Sequence, residues 1–330
     1  LTFQTKLGSM LDKSDRMLKL GAELGAMLQF TDVMQIKYLG RAVYLAKADL
    51  VTQMVTEMTS LQGIIGREYA LRSGEDAEVA TAIGEQYQTV PQSEIGVGLA
   101  LTDRIDSLVG LFAAGLAPTG TKDPFALRRA AIGVVQPLLE HDLDFDLRTA
   151  VDVTAKLQPI EVSDEIKAKA LDFIAGRLSV VLKESYRYDV VDAVLAAQSD
   201  NPASAARAVA QLQGWVERAD WDDIFPAYSR CVRIIRSANV ESSGIDKGKF
   251  VEDAEKMLYA EIEIATKKAP ASIDDFLLTV KKLVPAINNF FDNVLVMAED
   301  EAVKANRLAL VGKITSLADG IADLSKLKGF

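Results

Sequence analysis

Apolar side chains return at steps of three and four residues in segment after segment of this chain, and alternating β-branched runs do not recur. A step near 3.6 places such residues on one side of a helix, whereas a half-buried strand needs a step of two, so the pattern commits the chain to a nearly all-α fold. The last stretch is the clearest: Val303, Leu310, Ile314, Leu317, Ile321 and Leu324 keep the step over several turns and predict a C-terminal helix over 299–326, docked along its length. The same reading predicts helices near 10–28, 33–57, 75–88, 93–113, 124–140, 164–184, 188–198, 202–219, 222–238, 247–267 and 273–288. Most connections are short, as helical bundles prefer.

One boundary carries more than fold information. Gly115, Pro118 and Gly120 break a helical pattern, and Asp123 followed by Pro124 supplies an N-cap and a first residue whose missing N–H costs nothing there. A helix is therefore expected to begin at Pro124, with Leu127, Ala131, Val134 and Leu138 as its buried stripe. Lys122, Arg128 and Arg129 gather positive charge near its start, where the helix dipole disfavours cations. An anionic partner such as RNA, or nearby acidic side chains, would offset that clash.

With 330 residues the chain is long enough for two domains with proper cores. The acidic loop HDLDFDL from His141 and the later Pro159 place the boundary near Phe145, giving domains 1–145 and 146–330. The beginning, LTFQTKLGSM, has neither an initiator Met nor the layout of a signal peptide, so Leu1 reads as a cut end within a longer polypeptide. Every apolar run is broken well before the roughly 18 residues that a membrane span requires. Cys231 is the sole cysteine, which excludes an internal disulfide and fits a reducing, cytoplasmic setting.

The formal net charge of −10 argues against indiscriminate binding to polyanions. A local basic surface remains open, because Pro226–Val240 holds Arg230, Arg233 and Arg236 and no acidic residue. The stretch SSGIDKGK after it, Ser242 to Lys249, reads as an exposed loop. About 100° per residue spreads the three arginines over a third of a helix, with Tyr228, Val232 and Ile235 as the apolar side. Guanidinium groups pair with phosphate or base edges and stack on unpaired bases, so this helix is a candidate RNA contact. Salt bridges to an acidic neighbouring helix are the competing reading. Asn288 and Asn289, beside Phe290 and Phe291 and before the irregular link FDNVLVM, could read single-stranded bases, or the two rings could simply be core. Trp215 and Trp221 read as packing anchors.

Catalytic machinery is mainly absent. One His and one Cys far apart cannot form a His-rich or Cys-based zinc site, and neither GxxxxGK[ST] nor GxSxG occurs. His141 reads as a metal ligand beside Asp142 or as a loop histidine after a helix end. Asp103 and Asp106, three apart with Arg104 between, share one helix face and are metal ligands, positioners of an arginine, or an ion-paired surface. Lys47 and Asp49 within AKADL carry similar alternatives, a functional role or a helix-surface pair.

Four segments carry a resemblance: AKADLVTQMVTEMTSLQGIIGREYA (Ala46 to Ala70), KDPFALRRAA (Lys122 to Ala131), FFDNVLVMAEDEA (Phe290 to Ala302) and NRLALVGKI (Asn306 to Ile314). In these, and in that order, the chain resembles the C-terminal half of the beta subunit of bacterial-type glycyl-tRNA synthetase, or of its alpha–beta fusion. The resemblance implies an HD-like helical domain followed by a helical-bundle anticodon-binding domain. It implies that 1–145 docks the acceptor side of tRNA(Gly) and that 146–330 holds the anticodon arm. It also implies an alpha subunit as partner, whose class II site uses ATP, magnesium and glycine, and neither DNA nor a membrane as partner. At the position that resembles the His-Asp pair of HD hydrolases the chain reads Ala48-Asp49, and Asp103 or Asp106 would correspond to the last ligand. No metal and no catalytic residue are therefore expected in this region, and it binds no cofactor of its own. A non-catalytic protein-interaction scaffold and a degenerate HD-type phosphohydrolase are the alternatives.

Overall fold

Helices carry nearly all of the regular structure, as the periodicity requires. The computed structural model describes residues 1–238 and 244–330; Val240 at the end of the arginine window, and Ser242 and Ser243 of the expected loop, lie outside the described residues. Among the described residues there are fifteen α-helices and one short antiparallel hairpin, β1 (Thr2–Gln4) with β2 (Gly8–Ser9). None of these helices is long and apolar enough to cross a membrane. Packing divides the chain into two units, one of Leu1–Val181 with Asp200–Ala203, the other of Leu182–Ser199 with Ser204–Phe330. The division falls after Val181 rather than near Phe145, whose ring is buried in the first unit.

The first unit is built from α1 (Met10–Met27), α2 (Val33–Leu45), α3 (Gln53–Glu57), α4 (Ile64–Arg72), α5 (Ala77–Glu85), α6 (Glu94–Ala113), α7 (Leu127–Glu140), α8 (Leu147–Leu157) and most of α9 (Asp164–Lys183). Helix α6 is apolar almost all round, so it takes the central place, packed by α1, α2, α5, α7 and α8. The second unit holds α10 (Tyr188–Leu195), most of α11 (Pro202–Val216), α12 (Trp221–Ala238), α13 (Asp253–Ala265), α14 (Ile273–Asn293) and α15 (Glu301–Thr315). There α12 packs on α14 and α15, and Tyr228 meets Phe276 edge-on with ring centroids 5.3 Å apart. Phe276 and Phe290 are fully buried, each contributing about 1.5–3 kcal/mol through removal from water.

Several elements differ from the periodicity reading for local reasons. The pattern over 33–57 breaks at Leu45, where Lys47 and Asp49 turn inward and Thr52 caps a new short helix by accepting the Val55 N–H. Helices α4 and α8 lie outside the predicted set; α8 starts inside the acidic loop because the Asp146 carboxylate accepts the N–H groups of Arg148 and Thr149. The pattern from 247 becomes regular helix only at Asp253, where Glu252 and Glu255 form a reciprocal cap. Helix α14 runs on to Asn293, so the supposed irregular link begins later. Helix α15 stops at Thr315, and Gly320 at φ 72° ends any continuation. Leu317, Ile321 and Leu324 are nonetheless buried, carried there by two 3-10 turns, Ser316–Ala318 and Leu324–Lys326.

Candidate nucleic-acid interface

Helix α12 opens on Asp222 and Asp223 and has Arg236 in its last turn, charges that suit both ends of its dipole. Ile224, Phe225, Tyr228 and Cys231 face the core, which turns Arg230, Arg233 and Arg236 outward. Val232 and Ile235, expected on the apolar side, are half-buried. Each guanidinium lies over a ring. Arg230 sits 4.3 Å from the Phe291 ring centre and donates to the Phe291 carbonyl at 3.4 Å. Arg233 and Arg236 lie 5.3 and 5.5 Å from that of Phe330. Arg236 also pairs with Asp323 at 3.3 Å and donates to Ser325 Oγ at 2.7 Å, an ion pair made to the cap of a 3-10 turn rather than to a neighbouring α-helix. Arg230 and Arg233 are steadied by aromatic faces and keep donors toward solvent. Beside Arg236 opens a cleft of about 400 Å³, with Tyr228, Ile235 and Asp319 in its wall. Burial pushes the Cys231 thiol up to about 12, against a smaller opposing pull from Arg230, so it is no thiolate nucleophile.

Asn288 and Asn289 belong to α14 rather than to a loop. Asn288 is exposed, while Asn289 offers its carbonyl and Oδ1 to the Asn293 amide at 2.9 and 3.0 Å. The two rings beside them divide: Phe290 is core, and Phe291 supports Arg230. Trp215 donates its indole N–H to Asp274 at 2.7 Å and Trp221 stacks on Phe225, which fits their reading as anchors.

Helix α7 begins at Leu127, not at Pro124. Ala126 takes a left-handed conformation, φ 53°, so Asp123, Pro124 and Phe125 form a turn before the helix. The Asp123 carboxylate still performs the capping, accepting the N–H of Leu127 at 2.8 Å and of Arg128 at 2.9 Å. Its charge is the acidic offset that the cations at this end required. The stripe of Leu127, Ala131, Val134 and Leu138 is buried as expected. Arg128 folds back on the Gly120 carbonyl at 2.5 Å, whereas Lys122 and Arg129 are exposed.

Asp103 and Asp106 form no open site. Asp106 is buried and accepts from Lys13 at 2.9 Å, Arg16 at 3.1 Å and Gln158 at 3.0 Å. Asp103 is bridged by Lys13 at 2.9 Å and Lys47 at 2.7 Å. Burial pushes both carboxyls up, but the neighbouring cations outweigh it and hold both below the usual carboxylate range. Burial pulls the Lys47 ammonium down, and Asp103 and Tyr87 more than restore it. Lys47 is thus no surface partner of Asp49; it reaches Gln86 at 2.9 Å, while Asp49 Oδ2 accepts the Gly63 N–H at 2.6 Å. Arg104 turns to backbone carbonyls, those of Gly133 and Gln88 among them. His141 bonds the Pro91 carbonyl at 2.8 Å through Nε2. A carboxylate held between two ammonium groups does not fit the role of a metal ligand.

Phe330, Asp323 and Ser325 escape the sequence reading, as does the partnership of Lys13 and Arg16 with Asp106. Only the latter has a signal, three-residue spacing on both helices.

A family model described as glycyl-tRNA synthetase beta subunit matches residues 1–196, and one described as DALR anticodon binding domain matches residues 224–324. A glycine–tRNA ligase beta subunit of Alteromonas mediterranea is 37% identical over 98% of this chain and 49% of its own length. Its counterpart in Myxococcus xanthus is 38% identical over 99% and 49%. A chloroplastic/mitochondrial glycine–tRNA ligase of Arabidopsis thaliana is 36% identical over 100% of this chain and 32% of its own. The chain spans about half the length of these bacterial relatives and aligns with a C-terminal part of them. Almost wholly helical units, an anticodon-domain match over the arginine helix and glycine–tRNA ligase relatives along nearly the whole chain converge: this chain belongs to the glycyl-tRNA synthetase beta subunit family.

Proposed function

We propose that this chain is the tRNA-binding portion of a glycyl-tRNA synthetase beta subunit. The observation that carries the reading is the outer face of α12, where Arg230 and Arg233 are exposed and steadied by phenyl rings rather than neutralised by carboxylates. Such groups are oriented before RNA arrives and keep donors for phosphate or base edges. Arg236 and the exposed Asn288 extend this surface, with Asn289 contributing once released from Asn293. Within 146–330 these residues hold the anticodon arm; within 1–145, Lys122, Arg128 and Arg129 help dock the acceptor side.

Glycine activation, with ATP and magnesium, belongs to the alpha subunit or alpha portion of the complete enzyme, in the cytoplasm. The residues of this chain bind and orient, which lowers the barrier by placing the terminal adenosine hydroxyl in a neighbour's site. Titration of glycine-accepting and unrelated tRNA at several salt concentrations tests the reading. The Arg230→Ala, Arg233→Ala, Arg236→Ala triple variant should weaken binding and flatten its salt dependence by about one unit of slope for each phosphate that is no longer neutralised. Equal affinity of variant and parent at every salt concentration would sink it.

A further inference from the structure

The first unit leaves an unusual amount of apolar surface uncovered in one stretch. Val51, Met54, Met58, Ile64, Tyr69 and Leu71 are all exposed, from 40% for Leu71 to 72% for Val51. The elements that form this stretch are short, α3, α4 and the 3-10 turns Ala48–Val51 and Thr59–Leu61, and they touch one another. Between Val51 and Leu71 only Val55, Gly63 and Ala70 are buried. Two adjoining grooves widen the surface: one of about 680 Å³ has Leu18, Met34 and Tyr44 in its wall, one of about 140 Å³ has Tyr69, and both are lined by Glu75. Scattered exposed apolar residues are ordinary, but a concentration of this kind marks an interface.

Charge decides the class of partner. Across 51–72 Glu57 and Glu68 balance Arg67 and Arg72, so a phosphate backbone gains nothing here, whereas an apolar protein surface does. Two methionines and two tyrosines are side chains suited to protein interfaces. Length decides the occupant: the bacterial relatives are about twice as long, and this chain aligns with their C-terminal part. We infer that the face formed by 51–71, with Tyr44, is covered by the N-terminal part of the full-length subunit, the portion of the relatives' length that this chain does not match. Covalent linkage favours that occupant over a separate chain, because it holds the N-terminal part at an effective concentration on the order of mM.

The test places the photo-crosslinker p-benzoylphenylalanine at Met58, and separately at Ile64, in the full-length subunit, with Glu165 on α9 as an exposed control. Both probe positions point to solvent in this unit, so folding does not depend on them. Irradiation should join each probe to residues preceding Leu1 in the same polypeptide, at least ten-fold more often than the control and equally at all protein concentrations. Links reaching only a second copy, the alpha subunit or tRNA, or yields no higher than the control, would overturn the inference. None of these readouts requires tRNA binding, so the result stands apart from the fate of the RNA-binding proposal.

Discussion

Asp106 sits in the core of the first unit with Lys13, Arg16 and Gln158 on one carboxylate. Replacing it leaves the buried Arg16 guanidinium without a carboxylate and Lys13 with Asp103 alone, so Asp106→Ala is expected to cost about 3–5 kcal/mol, read from denaturant titration. A loss under about 1 kcal/mol would show the site to be wetter than its geometry. The same group sets a pH dependence. Asp103 and Asp106 are held below the ordinary carboxylate value of about 3.9. Their contribution is complete above that value, where both states are ionised, and is lost as pH falls through the lower folded values. The unfolding midpoint should therefore drop steeply below about pH 4, and Asp106→Asn should flatten that limb. These residues stand out in sequence as a pair three apart, but their cationic partners lie 56 to 93 positions away, and no local pattern reports which helix will carry the opposite charge.

Helix ends show how far local rules reach. Asp123 is legible as a cap because a carboxylate near free N–H groups is worth about 1 kcal/mol anywhere. The left-handed Ala126 is not legible, and it moves the start from Pro124 to Leu127 while leaving the capping atom the same. Asp123→Ala should lower stability by about 0.5–2 kcal/mol in thermal unfolding, and an unchanged midpoint would mean that water serves Leu127 and Arg128 equally well. Arg230, Arg233 and Arg236 are legible as a basic stripe because their spacing and the lack of acids after Asp223 are properties of one short stretch. Their rings are not, since Phe291 lies 61 positions beyond Arg230.

For the whole molecule, the proposed positioning role predicts a split between glycine activation and tRNA charging. Removing this region from the complete synthetase should cut tRNA charging by about 10²-fold or more while glycine-dependent pyrophosphate exchange continues, because adenylate formation does not use the RNA. Equal loss of both would argue that the region supports the catalytic fold itself. The sequence by itself determined the helical class, most helix positions, the Asp123 cap and the location of the arginines. All of these rest on hydrogen bonds and periodicities spanning only a few residues. Tertiary structure alone decided that Lys47 and Asp49 are buried, that Asp103 and Asp106 face cations, that packing divides after Val181 and that Arg230 lies on Phe291. Burial and pairing of charge depend on which helices meet, and that choice is made by the summed fit of many apolar side chains, a quantity no short window of sequence contains.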